Sequence, residues 1–214
     1  MRSLQHLHEP FQDWMWTDSK IFLEQKVSST GHWQRPGQQP TLEVDKHPNK
    51  IHAYAGLTST GSTTLYPVTG TTGMPSRGTR GLGAKEYCEV IENHLVPEGN
   101  RLFQGRPFTV YEDGAPAHTS KLATQTWQKY PHIKVVRAPA CSPDLNPIEN
   151  LWNIVDDRLL GTTYQNRHAF MHELVRKWEE TTAAECENLC SSVPRRLQKV
   201  INVQGGHIER NIYA

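Results

Sequence analysis

An α/β fold is what the sequence predicts, on three observations: β-rich runs separated by turn chemistry in the first third, strict alternation of β-rich and helical runs from residue 84 onward, and strand ends that coincide with glycine and proline. Alternation of that kind favours parallel strands joined by right-handed crossovers, which places loops and ligands at the strand carboxyl ends. With 214 residues the chain is long enough for one core, with room for a helical appendage.

Asp13-Trp-Met-Trp-Thr-Asp-Ser-Lys-Ile-Phe-Leu23 is rich in aromatic and β-branched residues and ends before the polar stretch 28–31, so it reads as a first strand with Asp18 in its middle. Runs 50–58 and 63–68 read as two more. Ser59-Thr-Gly-Ser62 between them is hairpin chemistry, so they are expected to be antiparallel neighbours. Residues 70–83 hold five glycines with Arg77 and Arg80 and are expected to form a loop. Tyr87, Cys88, Ile91 and Leu95 then recur at helical spacing, and Pro97-Glu-Gly99 is expected to stop that helix.

Phe108-Thr-Val-Tyr-Glu-Asp113 is a short strand that turns at Gly114-Ala-Pro116. Thr119 or Ser120 caps a helix whose Ala123, Trp127 and Tyr130 share a face, and Lys134-Val-Val-Arg137 is the next strand. The clearest helix runs from the cap Asn146 to Leu160: Pro147 suits its first turn, and Ile148, Leu151, Trp152, Val155 and Leu159 make one apolar stripe. Residues 168–201 read as two helices broken near Ser191-Ser-Val-Pro194. No internal repeat is evident.

Composition narrows the function classes. Hydrophobic residues make up 36% and charged residues 21%, with six Trp and seven Tyr, which supports a globular chain. The 23 Lys+Arg nearly cancel the 22 Asp+Glu, so any polyanion must be held by local patches rather than by the net charge of +1. Candidates are Arg77, Arg80, Arg195, Arg196 and Lys199, although a solvated charged helix end explains the last three equally well. Cys88, Cys141, Cys186 and Cys190 form no CxxC pair and follow no secretory segment, so reduced thiols are expected; a zinc site matches no known spacing. No apolar run approaches the roughly 18 residues that span a bilayer. The expected location is the nucleus in a eukaryote and the cytoplasm otherwise.

Three acids stand on three separate elements: Asp18 in the first strand, Asp113 at the end of a later one, and Glu149 in the first turn of a helix. Carboxylates that converge repel one another unless one takes up a proton or a hard cation neutralises them, and Mg²⁺ is satisfied by such oxygen ligands. Two ions about 3.5–4 Å apart activate the attacking oxygen and stabilise the leaving oxygen of a phosphoryl transfer. This is the logic of nucleases and nucleotidyl transferases.

The motifs carry a resemblance. Tyr111-Glu-Asp-Gly-Ala-Pro-Ala-His-Thr-Ser120 and Ala138-Pro-Ala-Cys-Ser-Pro-Asp-Leu-Asn-Pro-Ile-Glu-Asn-Leu-Trp152 resemble the second and third catalytic motifs of mariner-superfamily DDE transposases, and the 35 residues between Asp113 and Glu149 are close to that family's spacing. Trp16-Thr-Asp-Ser-Lys-Ile-Phe22 resembles the first motif, with Ser19 where members commonly carry a second acid.

The resemblance implies an RNase H-like mixed sheet flanked by helices over residues 11–160; residues 161–214 are expected as a C-terminal helical extension packed on the same domain. It further implies catalytic and metal-binding roles for Asp18, Asp113 and Glu149, two Mg²⁺ or Mn²⁺ ions, transposon-end and target DNA as partners, and a homodimer. Water would cut a DNA phosphodiester and the freed 3′-hydroxyl would attack target DNA. His118 also matches a family position and is a secondary site candidate.

Other assignments compete at each position. Glu149 three residues after Asn146 fits a capping box, Asp13 competes with Asp18, and Asp113 fits plain turn chemistry. Asp156 lies about 10 Å from Glu149 along a helix and, with Asp157, is expected on a solvated face. Family members carry helix-turn-helix modules ahead of the catalytic domain, whereas 17 residues precede Asp18, so those modules are expected to be missing. The alternative function is therefore an inactive or domesticated module that binds DNA or a protein partner.

Overall fold

A computed structural model describes residues 11–24, 49–68, 82–139 and 142–206. A 3-10 turn, Phe11–Asp13, leads into β1 (Trp14–Leu23), which pairs antiparallel with β2 (Lys50–Thr58) from Trp16↔Leu57 to Leu23↔Lys50. The expected strand over 63–68 is instead two short pieces on β2, β3 (Gly61–Ser62) and β4 (Tyr66–Pro67), both antiparallel to it. Side chains take over in between: the Thr63 hydroxyl accepts from Gly56 N at 2.9 Å, and Thr64 N donates to Glu98 at 3.0 Å.

The helix that Pro97 was expected to stop continues to Leu102. It runs as α1 (Ala84–Val90), a π turn (Ile91–Leu95) and α2 (Val96–Leu102). Proline lacks the helical N–H and its ring crowds the carbonyl one turn back; the wider π turn, closed by Val96 N–H on the Ile91 carbonyl, accommodates both. Gly99 has a different task. A Cβ there would lie 2.2 Å from the Phe108 ring, so only glycine lets α2 lie this close to the sheet.

Next come β5 (Phe108–Glu112), α3 (Lys121–Trp127) capped by the Ser120 hydroxyl, and β6 (Ile133–Arg137). The sheet order is β3-β2-β1-β5-β6, with β1, β5 and β6 parallel. A 3-10 turn, Pro143–Leu145, precedes α4 (Ile148–Leu159).

The C-terminal part has three helices rather than two: α5 (Arg167–Glu179), α6 (Ala183–Ser191) and α7 (Val193–Asn202). The extra break is a capping box in which Thr182 and Glu185 satisfy each other's backbone N–H. Pro194 sits in the first turn of α7, where its missing donor costs nothing.

Side-chain alternation splits the core into two layers around the sheet. Met15, Tyr54, Phe108 and Val110 face α1 to α3, while Trp14, Trp16, Phe22, Ala55 and Tyr111 face α4 to α7. Trp152 and Trp178 meet at 4.9 Å in the second layer, so α4 and α5 share one apolar cluster with the sheet; truncating either ring would cost about 3–5 kcal/mol. Cys88, Cys186 and Cys190 are free and buried. Among the described residues no helix is long and apolar enough to cross a membrane.

Candidate active site

Strand register builds the site. The last parallel pair of β1 and β5 is Trp16↔Tyr111; Asp18 follows two residues later within β1, and Asp113 two residues later, just past the end of β5. The turn Pro143–Leu145 then starts α4 against that same end. Asp18, Asp113 and Glu149 line one open cavity of about 350 Å³ together with Tyr111, Gly114, Ala115, Ala138, Pro139, Ser142, Pro143 and Asn146.

Charge confirms the proximity. Burial, followed by the charges of Glu149 and Asp113, pushes the Asp18 carboxyl up to about 7 against the opposing effect of a 2.7 Å bond from Ser19 N. Glu149 lies within hydrogen-bonding reach of Asp18. Its capping-box alternative is not realised: the Asn146 N–H donates to the Pro143 carbonyl at 3.0 Å, and α4 has no side-chain cap.

Asp113 faces other partners. Its Oδ1 lies 2.5 Å from His118 Nδ1 and accepts from Ala115 N at 3.0 Å. The two groups stand as a close ion pair when the imidazole is protonated. The His118 contact holds the Asp113 carboxyl below its usual range, with burial opposing. Burial works against a charged His118, yet Asp113 and Glu112 outweigh it and raise the imidazole pKa. Among the described residues no group of three or more His, Cys, Asp or Glu is placed, as it stands, to hold a metal ion.

Behind the cavity lies a buried polar network. Glu112 is fully buried between Tyr87, whose hydroxyl donates to it, and Arg137, whose Nε donates at 3.1 Å. Burial raises the Glu112 pKa, and Tyr87, His118 and Arg137 oppose the rise. Arg137 also donates to the His118 carbonyl at 3.2 Å, and the Tyr87 ring lies 4.1 Å from the imidazole. His118 is thus fixed from behind while Asp113 holds it in front.

The family model for DDE superfamily endonucleases matches residues 13–171, most of the chain and all three carboxylates. The chain belongs to that family. This DDE chain is similar to the transposable element Tc1 transposase of Caenorhabditis elegans, 38% identical over 120 residues that make up 56% of this chain and 43% of that protein. It is also 34% identical over 119 residues to the transposable element Tcb2 transposase of Caenorhabditis briggsae, with the same shares. It therefore spans less than half the length of these curated relatives.

Among solved structures it superposes on a Mos1 transposase paired-end complex with left transposon end at a TM-score of 0.79 and 17% identity, covering 97% of this chain and 60% of that one. The catalytic domain of Mos1 mariner transposase matches at 0.70 and 14%, covering 97% and 89%. These likenesses establish the RNase H-like fold.

The remaining sequence candidates of the DDE chain lie elsewhere. Asp13 is exposed in the turn before β1 and faces Arg106 at 3.7 Å. Asp156 pairs with Lys20 at 2.6 Å, and Asp157 is exposed. Arg77 and Arg80 lie outside the described residues. Arg195 is exposed and Lys199 half-buried, both on α7.

The expectation that Arg196 grips phosphate is revised. It is 2% exposed and donates to the Asp144 carbonyl at 3.1 Å and the Ser192 hydroxyl at 2.8 Å, so it fastens α7 to the turn before α4. Sequence reasoning missed Glu112, Tyr87 and Arg137. Alternation offered a signal for Glu112, which continues the inward face of Phe108 and Val110.

Proposed function

We propose that this chain is the catalytic domain of a DDE transposase, which cuts DNA phosphodiesters and joins the freed 3′ end to target DNA. The observation that carries the reading is the gathering of Asp18, Asp113 and Glu149 in one open cavity, where burial, joined by the charges of the other two acids, raises the Asp18 carboxyl above its ordinary pKa. Such a donor set, hard oxygens with excess charge, fits divalent cations such as Mg²⁺ or Mn²⁺. Mos1 paired-end complexes with Mn and with Mg, a paired-end complex with left transposon end and a strand transfer complex share this fold, which supports the same assignment here.

Asp18, Asp113 and Glu149 would hold two cations, which when bound supply activation of the attacking oxygen and charge relief at the leaving oxygen. In the first step water attacks phosphorus and the strand's P–O3′ bond breaks, leaving a 3′-hydroxyl and a 5′-phosphate. In the second, that hydroxyl attacks a target phosphodiester and displaces the target's own 3′ oxygen. His118 orients Asp113, and the open cavity admits an extended backbone rather than a small enclosed ligand. A paired homodimer acting on transposon-end and target DNA is the assembly this reading favours.

Plasmid nicking tests it. Wild type with Mn²⁺ or Mg²⁺ should nick supercoiled plasmid, chelator should stop it, and Asp113→Asn should slow it by about 10³-fold or more. Well-folded wild type that leaves plasmid intact with either metal would overturn the catalytic reading in favour of a non-cutting DNA-binding or partner-binding module.

A further inference from the structure

We infer that Asn146 is a positioning residue that fixes Asp18 and Glu149 relative to each other, an inference that rests on the metal-dependent reading above. The two carboxylates come from elements far apart in the chain, a strand and the first turn of a helix. Asn146 joins those elements at the residues in question. Its side-chain Nδ2 donates to the Thr17 carbonyl, immediately before Asp18, at 3.1 Å. Its own carbonyl accepts the N–H of Glu149 at 3.2 Å. A longer contact, 3.4 Å from Ile148 N to Asn146 Oδ1, holds the amide plane from the helix side.

The location explains why an amide is needed. β5 leaves the parallel ladder after Tyr111, so past that point no strand among the described residues continues along this edge of β1, and the Thr17 carbonyl is met by Asn146. The Thr17 hydroxyl donates back to the Tyr111 carbonyl at 2.9 Å, tying β1 to the strand that carries Asp113. Asn146 is 6% exposed, so water is a poor substitute for its donor. An apolar residue would fill the same space and leave the carbonyl without a partner. Because Mg²⁺ demands near-ideal octahedral geometry, the separation of its carboxylates is where a lost clamp should register first.

The test compares Asn146→Leu, close in volume and without a donor, and Asn146→Ala with a control, Trp178→Phe. The control loses a buried bond of 2.7 Å to the Thr63 carbonyl, remote from the cavity. Mn²⁺ affinity by titration calorimetry, and kcat and KM for nicking, are measured on full-length protein whose fold is checked by circular dichroism and melting. The expected result is a loss of about 10–100-fold in Mn²⁺ affinity and in kcat for the Asn146 variants, with KM for DNA within about twofold of wild type and Trp178→Phe matching wild type in both. Asn146 variants that bind Mn²⁺ and cut like wild type overturn the clamp alone, as does a control that loses as much as they do. Wild type that neither binds Mn²⁺ nor cuts overturns the metal reading and the clamp with it.

Discussion

Asp18 on β1 and Asp113 just past the end of its parallel neighbour β5 line one cavity, yet their surroundings push them in opposite directions. Asp18 is raised to about 7 by burial and by the other two acids, whereas Asp113 is lowered, first by His118. The fold thus places on one side of the site an imidazole whose protonated, cationic form Asp113 and Glu112 favour. On the other side Asp18 and Glu149 face each other with only the Ser19 N–H bonding Asp18, and a divalent ion gains most there.

The same isosteric change should therefore have opposite effects at the two positions. Asp18 has its pKa raised in the fold, so the stability linked to its proton is complete below about 3.8 and is lost as pH climbs through about 7. Asn needs no proton, and Asp18→Asn should stabilise the protein at pH 8 by about 2 kcal/mol, roughly 4–8 °C in Tm, with the gain shrinking toward pH 5. Asp113 has its pKa lowered, so its contribution is present above its ordinary value and lost as pH falls through the lowered one. Because that side chain is 55% exposed, solvent screening keeps the loss in Asp113→Asn below about 1 kcal/mol at pH 8, fading in acid. Melting curves in chelator from pH 5 to 8 decide it, and a destabilised Asp18→Asn at pH 8 would remove the contrast.

Much of this contrast was legible in the sequence, and the rest was not, for physical reasons. The carboxylate positions follow from strand ends and a helix start, which periodicity and motif both mark. His118 was visible as a motif position, but its tie to Asp113 and the buried Glu112 behind it depends on how three elements meet. Pro97 misled because a π turn can absorb a proline and leaves no mark in composition. Arg196 misled because a basic cluster at a helix end looks alike whether a guanidinium meets solvent or a carbonyl 52 residues away. Thr182-Ala-Ala-Glu185 carries the capping-box spacing within four residues, so the break before α6 was legible locally.

The charge on His118 can be probed by proton counting. If a divalent ion takes up the charge of Asp113, His118 loses the partner that favours its protonated form, and Asp18 must shed its own proton to act as a ligand. Mn²⁺ binding to wild type near pH 7 should release more protons than binding to His118→Gln, by up to about one. Calorimetry in buffers of different ionisation enthalpy reads the number. Equal release by both proteins would show that His118 does not exchange its charge for the metal's.

The smallest expected effect sharpens the boundary of the site. Asp156 shares α4 with Glu149 but stands about 10 Å further along the axis, two turns from the cavity. Its carboxylate is already matched by Lys20 at 2.6 Å, with side chains 29% and 23% exposed. A pair this open is worth under about 1 kcal/mol and weakens with salt. Asp156→Asn should therefore shift Mn²⁺ affinity by less than about twofold, against near-complete loss for Asp18→Asn. Lys20 also lies two residues beyond Asp18 on β1, so freeing its ammonium places a mobile positive charge near the cavity and sets the sign: any residual change should be a weakening that disappears at high salt. A salt-independent loss as large as that of Asp18→Asn would instead make Asp156 a ligand and would displace Glu149 from the triad.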